Sequence, residues 1–195
     1  MRGFFYRVNM TIKQLLQQGL QHYQQGEAEA AEQCFRSALR ENPNDVAALN
    51  LLAMVYVNTQ RAAEAIPLIQ QALAIKPIDA QALGNLGLAY QRSGDPQQAE
   101  TCFRKSIKIN SNKPAIWDSL GKVLCEKGRY DEALDCAEKA LQLQGNHPGY
   151  WIQLSQVLAN QDKLDKALKA VMQARQFDAK SPMVQLQLAE VRRKQ

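Results

Sequence analysis

Apolar residues return to one phase of this chain every 34 residues. The stretch from Pro114 to His147 carries Trp117, Leu120, Gly121, Gly128, Ala133 and Ala140. One period earlier the same phase holds Leu83, Leu86, Gly87, Gly94, Ala99 and Ser106; two periods earlier it holds Leu49, Leu52, Ala53, Ala65 and Ala72. The first copy reads Leu15, Gly19, Gly26, Ala31, Phe35 and Ala38, and the last reads Trp151, Leu154, Ser155, Ala167 and Ala174. A fixed period of this length marks stacked supersecondary units. Within each copy the apolar positions fall at i, i+3 and i+7, as in Trp117, Leu120 and Leu124, which is a helical stripe. Gly26, Gly94 and Gly128 then interrupt the pattern and suit the positive φ of a helix C-terminus, with Gln60 and Asp162 at that phase in the second and fifth copies. Asp95-Pro96 reads as an N-cap followed by proline at the first helical position, and Pro114, Pro148 and Pro182 open helices in the same way, the last behind Ser181.

The pattern predicts an all-α protein, an α-solenoid of five helix-turn-helix units over residues 12–45, 46–79, 80–113, 114–147 and 148–181. A capping helix and basic tail follow over 182–195, making eleven helices and no strand. Gln185, Gln187, Glu190, Arg192, Arg193 and Lys194 are expected to give that cap the polar outer face a terminal solenoid helix requires, so that the array ends as a finished one. Small residues at Gly19, Ala53, Gly87 and Gly121 sit mid-helix, where glycine costs about 1 kcal/mol relative to alanine, so they imply close helix crossings against Ala31, Ala65, Ala99 and Ala133. Pro67 falls inside a second helix and is expected to kink or delay it. Residues 1–11 lie outside the period and read as a disordered, non-repeat segment, or as one upstream of a natural start at Met10; an aromatic flap formed by Phe4, Phe5 and Tyr6 on the first helix, or a membrane or partner anchor, are the alternatives.

Charge narrows the partner. The net charge of +5 is carried entirely by residues 1–10 and 180–195, so the repeats between them are neutral. A nucleic-acid binder carries its excess on a folded face, so nucleic acid is not the expected partner. No apolar run approaches the roughly 20 residues that span a bilayer, and the aromatic cluster near the start is too short for a signal peptide; the expectation is a cytoplasmic protein.

Candidate chemistry is sparse. His22 takes the phase of Tyr56 and Tyr90 and reads as a packing residue, while His147 lies in a loop beside a proline. Neither has a carboxylate or cysteine at metal spacing. Cys34, Cys102 and Cys136 share one phase and read as small buried hydrophobes, and there is no C-x-x-C, phosphate loop or nucleophile elbow. The sequence therefore predicts no enzyme, no catalytic residue, no metal, no cofactor and no evident small-molecule substrate.

The motif W-x-x-L-G in Trp117 to Gly121, the helical A-x-x-x-F-x-x-A of Ala31, Phe35 and Ala38, and the closing Pro43 and Pro77 resemble the tetratricopeptide repeat (TPR) family. That resemblance implies that the first helices line a concave groove where a peptide or protein segment binds. By phase, the groove residues would be Gln17 and Leu20, Asn50 and Met54, Asn85 and Leu88, Ser119 and Lys122, and Gln153. The alternative is that these are ordinary solvated helix positions. The family's carboxylate clamp needs lysine, asparagine and arginine where this chain has Leu16, Leu20, Leu51 and Gln81, so that mode is not expected. The asparagine ladder of O-linked N-acetylglucosamine transferase repeats is likewise reduced to Asn85 among Gln17, Leu51, Ser119 and Gln153. The leading expectation is a non-enzymatic protein-interaction scaffold; the second is a recognition or regulatory subunit of a separately encoded glycosyltransferase or sulfotransferase.

Overall fold

The structure, a computed structural model, describes residues 10–194. The expectations for residues 1–9 and for Gln195 lie outside the described residues. Eleven helices and no strand occur among the described residues: α1 Ile12–Gln24, α2 Ala28–Glu41, α3 Val46–Asn58, α4 Ala62–Ile75, α5 Ala80–Arg92, α6 Pro96–Ile109, α7 Pro114–Glu126, α8 Tyr130–Leu143, α9 Pro148–Asn160, α10 Leu164–Phe177 and α11 Pro182–Lys194. First helices thus start at 12, 46, 80, 114, 148 and 182, and second helices at 28, 62, 96, 130 and 164, in strict register with the sequence period.

Local chemistry fixes these boundaries. Thr11 and Gln14 close a capping box at α1, with the Gln14 backbone N–H donating to Thr11 Oγ1 and the Thr11 N–H to Gln14 Oε1. Asp45, Asp79 and Asp95 accept from the first free N–H groups of α3, α5 and α6. Between the two helices of each period one residue adopts positive φ: Gly26 at 81°, Gln60 at 62°, Gly94 at 82°, Gly128 at 71° and Asp162 at 60°. The turn is therefore the same whether or not glycine occupies it. Pro67 does not delay α4, which starts in phase and runs the same 14 residues as the other second helices. It lies on the exposed side, and it simply withholds one backbone donor.

The chain forms two compact units, one running to Ser93 and one beginning at Gly94. In the first, α1 packs on α2, α2 on α3, α3 on α4 and α4 on α5. The first helices also touch each other, α1 to α3 and α3 to α5, whereas α2 and α4 do not meet. Its core is built on Phe35, Leu49, Leu52, Ala53, Ala65 and Ile69. The second unit repeats this arrangement: α7 touches α9 and α9 touches α11, while the backbones of α6, α8 and α10 stay apart from one another. Within each unit the first helices are thus the more tightly gathered layer.

In the second unit the loops between periods are pinned by one repeated bond. Trp117 Nε1 donates to Ser111 O at 2.8 Å, Trp151 Nε1 to Gly145 O at 2.7 Å and Gln185 Nε2 to Ala179 O at 2.8 Å. Helix α11 covers α9 and α10 with Val184, Leu188 and Val191. Its outer face is less polar than expected: Met183 and Leu186 are exposed, and Gln187 turns inward and is buried.

Candidate functional site

In the first unit the expected groove residues lie on adjacent first helices. Most of α3 is buried, including Leu49, Leu52, Ala53, Val55, Tyr56 and Val57. Its least buried stripe runs through Asn50, Leu51 and Met54 to Asn58. On one flank α1 presents exposed Gln17 and Leu20; on the other α5 presents half-buried Asn85 and Leu88. Asn85 is engaged by Gln81, whose Nε2 donates to its Oδ1 at 3.1 Å. At the far end Asn58 Nδ2 donates to Tyr23 Oη at 2.6 Å, and Arg92 donates to Asn58 Oδ1 and the Val57 carbonyl. Those groups tie α1, α3 and α5 together and have little left to offer a ligand. Asn50 differs, because its Oδ1 is buried and has no hydrogen-bond partner among the described residues. Leaving an acceptor unpaired costs about 1–3 kcal/mol.

In the second unit Ser119, Lys122 and Gln153 fall on α7 and α9. Ser119 is not the solvated groove position the sequence suggested: it is buried, and its Oγ donates to Ala115 O of its own helix at 2.8 Å. Lys122 is exposed but held by Asp118, Nζ to Oδ2 at 2.6 Å. Gln153 is only 2% exposed and reaches back toward α7, its Nε2 lying 3.7 Å from Cys125 Sγ. Between α7, α9 and α11 there is a cavity of about 330 Å³, lined among others by Cys125, Glu126, Gln153, Gln187, Glu190 and Lys194. Sequence reasoning did not anticipate it.

The second-helix side carries a different chemistry. Glu32 of α2 accepts from Arg61 Nη1 at 2.7 Å, from Tyr56 Oη at 2.9 Å and from Arg36 Nε at 2.8 Å. Arg61 also forks onto Glu64 and lies 4.2 Å over the Tyr56 ring. Two periods later the same phases repeat the arrangement: Glu100 accepts from Arg104, Lys127 and Arg129, and Glu132 accepts from Arg104 and Arg129. Burial alone would raise the Glu100 carboxyl, but hydrogen bonds from Lys127, Arg104 and Arg129 hold it down at about 2. Glu32 is lowered by the same balance, its burial outweighed by Arg61, Tyr56 and Arg36. The signal existed in sequence as a recurring E-x-x-x-R followed by R-x-x-E in the next unit. These clusters fasten successive second helices, and their carboxylates are already paired.

Other titratable groups offer little reactivity. All four cysteines are free, and burial raises the thiols of Cys34, Cys102, Cys125 and Cys136, the last to about 12. His22 Nδ1 lies 2.5 Å from Glu27 Oε2, and His147 stacks on Tyr150 with ring centroids 4.3 Å apart. Among the described residues no group of three or more His, Cys, Asp or Glu side chains is placed to hold a metal. No helix among them is long and apolar enough to cross a membrane.

Comparison with known proteins agrees with the geometry. A thermophilic TPR protein of Thermus thermophilus superposes with a TM-score of 0.76 at 23% identity, over 93% of this chain and 98% of that one. PilF of Pseudomonas aeruginosa superposes at 0.80 with 22% identity, over 94% and 85%. YrrB, described as a TPR protein with an unusual peptide-binding site, superposes at 0.70 with 19% identity, over 88% and 89%. At these identities the likeness is one of fold. No curated protein matches the chain in sequence. The family model for the Cilia and flagella-associated protein 70 C-terminal domain, a TPR domain, matches residues 7–195. Spanning nearly the whole chain, that match shows that the protein belongs to this family of tetratricopeptide-repeat domains.

Proposed function

We propose that the chain is a non-enzymatic scaffold that holds a peptide or protein segment against its first-helix face. The observation that carries this is the contrast between the two sides of the first unit. On the second-helix side the charges of Glu32, Arg36, Arg61 and Glu64 are consumed in ion pairs. On the first-helix side, Asn50 keeps a buried, unpaired Oδ1 beside half-buried Met54 and exposed Leu20. Apolar area flanked by amides suits an extended segment, whose backbone N–H groups need acceptors and whose side chains need apolar contact. The description of YrrB as a peptide-binding TPR protein supports the reading by analogy.

The test begins by recovering a partner with the purified protein and measuring its affinity. Met54→Glu places a carboxylate beside the unpaired Asn50 acceptor and is expected to weaken binding at least tenfold, about 1.4 kcal/mol. Because Met54 is only half-buried, helicity should be retained. Salt dependence should be shallow, since the repeats are neutral. Unchanged affinity for the variant, or a steep salt dependence abolished by deleting residues 180–195, would move the site to the basic tail. If the recovered partner is a glycosyltransferase or sulfotransferase, the chain acts as that enzyme's recognition subunit.

A further inference from the structure

We propose that the cavity between α7, α9 and α11 is a subsite for a guanidinium, the side chain of an arginine in the bound segment. This rests on the reading of the first-helix face as the binding face, and it names the chemistry the second unit would select. The central observation is Gln153. It lines the cavity, is 2% exposed, and its Oε1 has no hydrogen-bond partner among the described residues.

The next period shows what a satisfied version looks like. Gln187 occupies the same phase on α11 and is equally buried at 3%. Its Nε2 donates to Ser155 Oγ at 3.3 Å, and Ser155 Oγ in turn donates to Ala167 O at 2.9 Å. The residue equivalent to Ser155 one period earlier is Gly121, which has no hydroxyl. A Cβ at Gly121 would lie 3.8 Å from Gln153 Nε2, so the amide does reach that point but finds only the weak contact to Cys125 Sγ there. The Gln153 Nε2 group is thus left with that weak contact, and its Oε1 has no partner among the described residues.

Charges around the cavity choose the donor. Lys122 is neutralised by Asp118 and does not compete. Glu126 and Glu190 line the cavity, and neither has a hydrogen bond or ion pair with another described residue. Among the described residues Lys194 is the single unpaired cation on the lining. Two free carboxylates thus line the cavity with one ammonium, and the unpartnered Gln153 carbonyl is buried at its wall, an excess of acceptors over donors. A guanidinium brings five N–H donors in a planar fork, enough to serve the Gln153 carbonyl and a carboxylate together. An acidic side chain would leave Gln153 unpaired and meet Glu126 and Glu190 as like charges.

The experiment is a titration of the isotope-labelled full chain, followed by nuclear magnetic resonance, with the tripeptide acetyl-Gly-Arg-Gly-amide. The same peptide with norleucine or glutamate in place of arginine is the comparison. Saturable shifts are expected at the Gln153 side-chain amide and at backbone amides of α7, α9 and α11, with the two comparison peptides at least tenfold weaker. Glu126→Gln combined with Glu190→Gln, both outside the packed core, should keep the fold and weaken the arginine peptide at least tenfold; Gln153→Met should do the same. Overturning results are equal shifts from the norleucine peptide, preference for the glutamate peptide, no shift at any attainable concentration, or undiminished affinity in the double variant. Failure of the underlying groove reading shows separately, as unchanged affinity of Met54→Glu for the recovered partner.

Discussion

Replacing Glu100 by glutamine removes the charge of a carboxylate that makes three ion pairs, with Arg104, Lys127 and Arg129. The Glu100 side chain is 9% exposed and lies 2.9 Å from Arg104, 2.5 Å from Lys127 and 2.7 Å from Arg129. Bringing a carboxyl from its ordinary 4.5 to about 2 corresponds to about 3 kcal/mol of preferential stabilisation of the ionised form. The folded value lies below the unfolded one, so this contribution is fully present above pH 4.5 and fades as the pH falls toward 2. Glu100→Gln should therefore destabilise the second unit by about 3 kcal/mol at neutral pH, with Arg104 and Arg129 left sharing Glu132 and Lys127 left with Gln97. Below pH 4.5 the gap from the unsubstituted protein should narrow and nearly close by about pH 2. Urea unfolding followed by the fluorescence of Trp117 and Trp151, both in that unit, reads the difference at a series of pH values. A gap below about 0.5 kcal/mol at neutral pH, or one that stays constant from about pH 7 to about pH 3, would refute the reasoning.

Two glycines at one phase should respond unequally to alanine. A Cβ on Gly19 would lie 2.5 Å from the fully buried Phe35 ring, so Gly19→Ala should cost about 1–3 kcal/mol in thermal or urea unfolding. At Gly121 the nearest atom is 3.3 Å away, so alanine should be close to neutral, whereas Gly121→Leu should be strongly destabilising. Gln60 sits at a φ of 62°, a conformation glycine adopts without strain, so Gln60→Gly should raise stability by about 1 kcal/mol in the same assay; a decrease would contradict the strain argument.

Much of the fold was legible because it depends on short-range chemistry that recurs with the period. Helix starts at Pro114, Pro148 and Pro182, the cap at Asp95, and the left-handed turn at Gly26, Gly94 and Gly128 are each fixed within a few residues. Long-range features were not. The phase of a repeat shows which side of a helix a residue occupies, but not how near the next helix comes. Ser119 and Gln153 therefore looked like solvated groove positions, while the structure buries both. Gly121 was readable as a close crossing with Ala133; that the same absent side chain admits Gln153 from the following period was not. The Glu32 and Glu100 clusters join groups nearly a full period apart, and only their recurrence two periods on betrays them.

The claim that the first-helix face holds the partner is tested most directly by site-specific photo-crosslinking to the recovered partner. A photoreactive side chain would be placed in turn at Leu20 and Met54, and at Gln33 and Ala63 on the exposed side of the second helices. The account predicts covalent capture from Leu20 and Met54 and none from Gln33 or Ala63. Capture from the second-helix positions, with Leu20 and Met54 silent, would contradict it.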